Sequence, residues 1–204
     1  MRGIDDHDDP STTTRRRPFS VARNQKIRGE GDLIAHVGRK AGTHVDDLKL
    51  DVSAFLLGSD DKVMYGDRTY CVFYNNHLST DRSTRFLEDE TDGSEFILAH
   101  LKDVEESVRK IVFAVSIYDA DVLSHTFGLV TDARFWLEGE FANKPGLSEI
   151  HSDNLSELFP DQAAVVIGEV YRSGKSWDYR KLGAGHTYAD LAEIGSAYGV
   201  RFDA

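Results

Sequence analysis

The sequence predicts a mainly β chain, a β-sandwich with one helix at its C-terminal end. Short apolar runs rich in Val, Ile, Phe and Tyr recur between residues 32 and 182, separated by turn residues. Only the segment after Thr187 carries the three-and-four apolar spacing of an amphipathic helix. No internal repeat breaks this plan. Many strands followed by one late helix favour two packed sheets over a strand–helix alternation.

At 204 residues the chain is long enough for one sizeable domain. Residues 1–28 read as a disordered polar tail, with an acidic block at Asp5, Asp6, Asp8 and Asp9 and a basic one at Arg15, Arg16 and Arg17. Such a segment has too little apolar surface to offset its ordering entropy. Residues 29–204 form the domain. Its first strand is expected over 32–37. Leu50–Leu57 alternates and then turns wholly apolar, ending at Gly58, and 70–74 is a further strand. Residues 102–110 are polar and fit a short helical turn. Residues 111–117 are β-branched and apolar throughout, which predicts a central strand buried on both faces. Strands follow over 133–137 and 163–171, with a polar connection over 142–160. Gly174 and Lys175 make the turn of a hairpin over 163–182. In the last segment Thr187 is the expected helix cap, with Asp190 three residues on, and Tyr188, Leu191, Ala192, Gly195 and Tyr198 share a face.

The formal charge of −11 excludes non-specific nucleic-acid binding, which rests on neutralising phosphates with Lys and Arg. No apolar run approaches the roughly 18 residues that cross a membrane. The N-terminal residues carry no apolar signal core. The single cysteine, Cys71, lies in an apolar run. A cytoplasmic protein is the expectation.

The chemistry concentrates in residues 87–95. Glu88, Asp89, Glu90, Asp92 and Glu95 crowd a turn marked by Thr91, Gly93 and Ser94. Like charges this close need solvent or a cation. Calcium takes about 6–8 oxygen ligands, and this loop offers oxygens without His or Cys. Asp51 interrupts an apolar strand, where an inward carboxylate is costly unless paired or metal-bound; alternation also permits it to face solvent. Asp119 stands at the end of the central strand. Asp51, Asp89, Asp92, Glu95 and Asp119 are therefore the candidate metal ligands.

Other constellations fall short. Gly174-Lys175-Ser176 lies between strands, whereas a phosphate loop leads into a helix. The eight histidines form no zinc-like pair, and no Gly-x-Ser-x-Gly elbow frames a nucleophile. A non-catalytic protein is expected, without a catalytic or cofactor-binding residue set.

Longer stretches resemble a known family. Leu50–Leu57, then Val72-Phe73-Tyr74-Asn75-Asn76, Ile111-Val112-Phe113-Ala114-Val115-Ser116-Ile117-Tyr118-Asp119-Ala120, Phe127-Gly128, Gly168-Glu169-Val170-Tyr171-Arg172, Trp177 and Gly183-Ala184-Gly185 follow in order. They are similar to motifs of the TerD family of tellurite-resistance and general stress proteins, over about residues 46–200. The resemblance implies a TerD-type β-sandwich, calcium bound between loops at one end and no established enzymatic activity. It also implies stress-response proteins as partners. The chain departs from the family where calcium would bind. Its acidic loop is shorter and poorer in glycine, and Lys49-Leu50-Asp51 stands where the family has Asp-Leu-Asp. One calcium site of lower affinity, or none, is the expectation; without calcium the domain would be a metal-independent protein-interaction module.

Overall fold

The apolar runs pair as antiparallel ladders into two sheets. The computed structural model describes residues 25–27, 31–39, 48–91, 93–141, 144–183 and 186–202. The strands are β1 (Gln25–Ile27), β2 (Asp32–Gly38), β3 (Leu50–Leu57), β4 (Cys71–Val72), β5 (Thr84–Glu88), β6 (Glu95–His100), β7 (Lys110–Ile117), β8 (Arg134–Phe141), β9 (Lys144–Asn154), β10 (Ala164–Ser173), β11 (Ser176–Lys181) and β12 (Thr187–Tyr188). Three short helices, α1 (Ala120–Leu123), α2 (Leu155–Leu158) and α3 (Leu191–Ala197), join them. One sheet has the order β1-β11-β10-β7-β3-β4, with β12 added to β10; the other runs β5-β6-β2-β8-β9.

Strand β7 lies between β3 and β10, the central place its apolar run predicts. The register sets Val52 opposite Val115, Ala54 opposite Phe113 and Leu56 opposite Ile111. These residues line the inner face, and Phe113 meets Phe135 of the other sheet at a ring-centroid distance of 6.4 Å. The alternate residues of β3 face outward but do not reach solvent. Phe55 packs on Tyr198 at 5.3 Å, just past the end of α3. The C-terminal helix thus roofs the outer face of β3 and β7, so β3 is buried on both sides.

Several elements differ from expectation for identifiable reasons. Residues 1–24 and 28 of the expected tail lie outside the described residues, but Gln25–Ile27 is a strand paired with β11. The polar connection over 142–160 holds β9, an edge strand. Bulges near Leu137/Glu138 and Glu140/Phe141 break its alternation, which hides it from a period-two reading. Within the run 70–74 only Cys71–Val72 joins the sheet, because short 3-10 turns precede it and Phe73 bridges back to Asn76 across a turn at Tyr74 and Asn75. Residues 102–109 turn without forming a helix, and Lys110 already belongs to β7. Helix α3 starts at Leu191, capped by the Asp190 side chain, which accepts from the Glu193 amide at 2.7 Å. Thr187 cannot cap it, because Thr187 and Tyr188 pair with Val165 and Ala164. At Gly174 φ is +65°, a conformation glycine adopts without strain, and the Gly174-Lys175 pair is the tip of the β10–β11 hairpin.

An ion cluster ties the sheets together on the side opposite β4. Asp153 of β9 is buried; it accepts from Lys181 Nζ of β11 at 2.6 Å and lies 2.9 Å from His151 Nε2. Burial alone would raise the Asp153 pKa, but His151 and Lys181 outweigh it and hold the carboxyl below its usual range. Asp153→Ala leaves Lys181 without its buried partner, and urea unfolding should show a loss of about 3–5 kcal/mol.

Candidate functional site

The acidic hairpin joins β5 to β6. Glu88 and Glu95 are its last paired residues, directly opposite each other. Like charges in that position repel. The loop closes tightly: the Asp89 amide donates to the Ser94 carbonyl and the Gly93 amide to the Asp89 carbonyl, both at 2.8 Å. Gly93 makes this possible with φ of +70°. One Asp89 carboxylate oxygen accepts from the Thr91 amide at 2.8 Å, and Asp89 remains exposed. Asp92 lies outside the described residues.

Glu95 turns away from the loop and into the rim of the sandwich, where its side chain is fully buried. Its Oε2 accepts from the Val52 amide of β3 at 3.0 Å. The reason lies in the sheet. Strand β4 pairs only with Ala54 and Phe55, so the edge of β3 above it has no neighbouring strand. A carboxylate from the opposite sheet supplies the missing acceptor. Lys49, half-exposed, sits 3.2 Å from Glu95 Oε1 and 3.9 Å from Glu88 Oε1. Burial works against the charge on Lys49, yet the neighbouring acids win and its pKa is raised.

Asp51 follows on the outer face of β3, opposite Ser116 of β7. It is 1% exposed, and its Oδ1 has no hydrogen-bond partner. Burial and then the negative charge of Glu95 push its pKa up to about 8. Burial also raises Glu95, against the Val52 amide and Lys49. The solvent-facing alternative for Asp51 is therefore corrected: α3 and Tyr74 cover that face. Asp119, the residue before α1, takes a left-handed conformation with φ of 49° and lines the same cavity as Asp51.

The structure brings Asp51 and Glu95 together and sets Asp119 on the far side of Asp51; Asp89 stays on the loop. The donors are all oxygens, and a buried carboxylate oxygen without a partner suits a hard cation. Among the described residues, no group of three or more His, Cys, Asp or Glu closes into a metal shell. Sequence reasoning did not place Ser116 and Tyr74 around Asp51. The signal was present in part: Asp51 and Ser116 are the polar positions that face each other when the two apolar strands are laid antiparallel.

A family model described as the TerD domain matches residues 21–198. The chain belongs to the TerD family. It is 36% identical over 163 residues to the tellurium resistance protein TerD of Serratia marcescens, covering 78% of this chain and 81% of that one. It is 29% identical to general stress protein 16U of Bacillus subtilis, covering 90% and 98%. The solved structure of a homologue of telluride resistance protein TerD from Streptomyces coelicolor superposes with a TM-score of 0.62 at 15% identity, covering 85% and 99%, which shows the shared fold. This TerD-family chain has the β-rich sandwich and C-terminal helix that the sequence predicts, and among the described residues no helix is long and apolar enough to cross a membrane.

Asp51 makes a signed prediction for metal-free protein. Its folded pKa lies above its unfolded value near 4, so the folded state holds the extra proton between those values and loses stability as pH rises from about 4 to about 8. In EDTA, Asp51→Asn should remove that slope. Its melting temperature should gain on the parent protein steadily from pH 5 to pH 8.5, and a constant difference would contradict the buried carboxyl.

Proposed function

We propose that this TerD-family protein is a non-catalytic, cytoplasmic stress-response module of the tellurite-resistance type that binds calcium at its acidic end. The observation that carries the proposal is the buried, unpartnered Asp51 Oδ1 beside Glu95, at the foot of a hairpin crowded with carboxylates. Asp51 and Glu95 would anchor the ion, and Asp89 and Asp92 from the loop and Asp119 from the end of β7 would complete the oxygen set. A bound calcium supplies two positive charges that relieve the repulsion between Glu88 and Glu95. Ordering the loop in this way links occupancy to stability. The names of the relatives support the stress-response part of the reading.

One observation favours a second reading, a metal-independent protein-interaction module whose partners are other stress-response proteins. Lys49 already places an ammonium 3.2 Å from Glu95, so part of the charge at this end is balanced from within the chain. The two readings separate in a thermal melt of EDTA-stripped protein. Calcium at about 100 times its dissociation constant adds about 2.7 kcal/mol, a shift of several degrees, and magnesium serves as control. Calcium binding predicts that shift and its loss in Asp89→Ala but not in Asp103→Asn. Indifference to both EDTA and calcium would leave the interaction module.

Lys49→Gln gives the companion prediction. Without the ammonium, Glu95 loses its counter-charge and the metal-free protein should melt lower. The calcium-induced rise should grow, because the ion no longer meets a cation at the site. A smaller calcium response in this variant would count against competition between Lys49 and the ion.

A further inference from the structure

We propose that the cavity beneath α3 is a binding site for a small aliphatic polyamine. It lies on the outer face of the β3–β7 sheet, with a volume of about 210 Å³. Four carboxylates line it, from Asp51, Asp119, Asp121 and Asp190, together with the rings of Tyr74 and Tyr118. No Lys, Arg or His stands among the lining residues. At its inner wall Asp51 presents a carboxylate whose Oδ1 is buried and has no hydrogen-bond partner, a cost that a donor from a ligand removes.

The chemistry of the walls selects the ligand class. The four carboxylates reach the cavity from β3, from the turn after β7, from α1 and from the residue before α3, so they are spread around it rather than focused on a point. Ammonium groups separated by methylene spacers answer such an arrangement. Each N–H donor takes its own carboxylate at about 2.7–2.9 Å. The spacers lie against Leu191, Ala192 and the tyrosines, and a cation over a tyrosine face gains a further cation–π attraction. The chain already holds one ammonium this way next door: Lys49 Nζ lies 5.9 Å from the Tyr74 ring centroid and pairs with Glu95. Tyr74 and Tyr118 meet edge to face at 5.8 Å, which fixes both rings at the cavity. Volume agrees, since about 30 Å³ per liquid water leaves room for several waters and hence for a chain of comparable bulk.

The site shares Asp51 and Asp119 with the calcium proposal but not Tyr118 or Asp121, and this separates the two in the laboratory. Isothermal titration calorimetry of the full chain with spermidine, in about 0.15 M salt to screen diffuse attraction, should give saturable binding that magnesium does not reproduce. Asp121→Asn, which keeps the side-chain shape, and Tyr118→Ala, at a half-exposed residue, should each weaken it about tenfold. Asp103→Asn, at an exposed position away from the cavity, should leave it unchanged. The calcium-dependent melt of the Tyr118 and Asp121 variants should match the parent protein. Absence of saturable heat, or equal losses in all three variants, would overturn the site. Intact spermidine binding in a protein with no calcium response would sink the calcium proposal and leave this one standing.

Discussion

The hydrogen bond from the Val52 amide to Glu95 holds one end of this sandwich together. It exists because β4 is too short to cover the edge of β3. An amide left open at a buried edge costs about 1–3 kcal/mol, and here the acceptor comes from the opposite sheet. Glu95 thereby becomes a buried anion, which draws Lys49 against it and adds to the burial that raises the pKa of Asp51 beside it. The charge pattern of the whole end follows from that one contact between the sheets.

The opposite side of the sandwich solves a similar problem differently. Asp153 is also buried between sheets, but Lys181 and His151 flank it and its pKa falls. For Asp51, burial dominates and the neighbouring Glu95 adds to it, together outweighing Lys49, so its pKa rises. Two buried aspartates of one protein thus have opposite characters: the neighbours of Asp153 overcome its burial, and those of Asp51 do not. The Asp153 cluster draws its counter-charge from Lys181 within the chain, which suits a structural tie. The Asp51 end is acidic and short of donors, and such an end fits a cationic ligand.

The apolar face of α3 has a consequence beyond packing. By covering the outer face of β3, the helix changes Asp51 and Ser116 from surface residues into the floor of a cavity. Asp190 serves twice there. One oxygen caps the helix through Glu193, and the residue also lines the cavity, so helix start and cavity wall are fixed by the same side chain.

The sequence by itself determined the β-sandwich, the central place of 111–117, the late helix and the acidic hairpin, because each is encoded by local periodicity or turn chemistry. It also carried the family, through motifs laid out in order. Tertiary structure alone decided the rest. The edge strand Lys144–Asn154 was hidden because bulges erase the alternation that would reveal it. The helix begins at Leu191 and not near Thr187, because β12 takes the preceding residues for the sheet. Whether Asp51 faced solvent or protein was open in the sequence, since alternation fixes only which residues share a face. What covers that face is set by α3, well over a hundred residues away in the chain, and that decides its burial, its proton and the ligand it can hold.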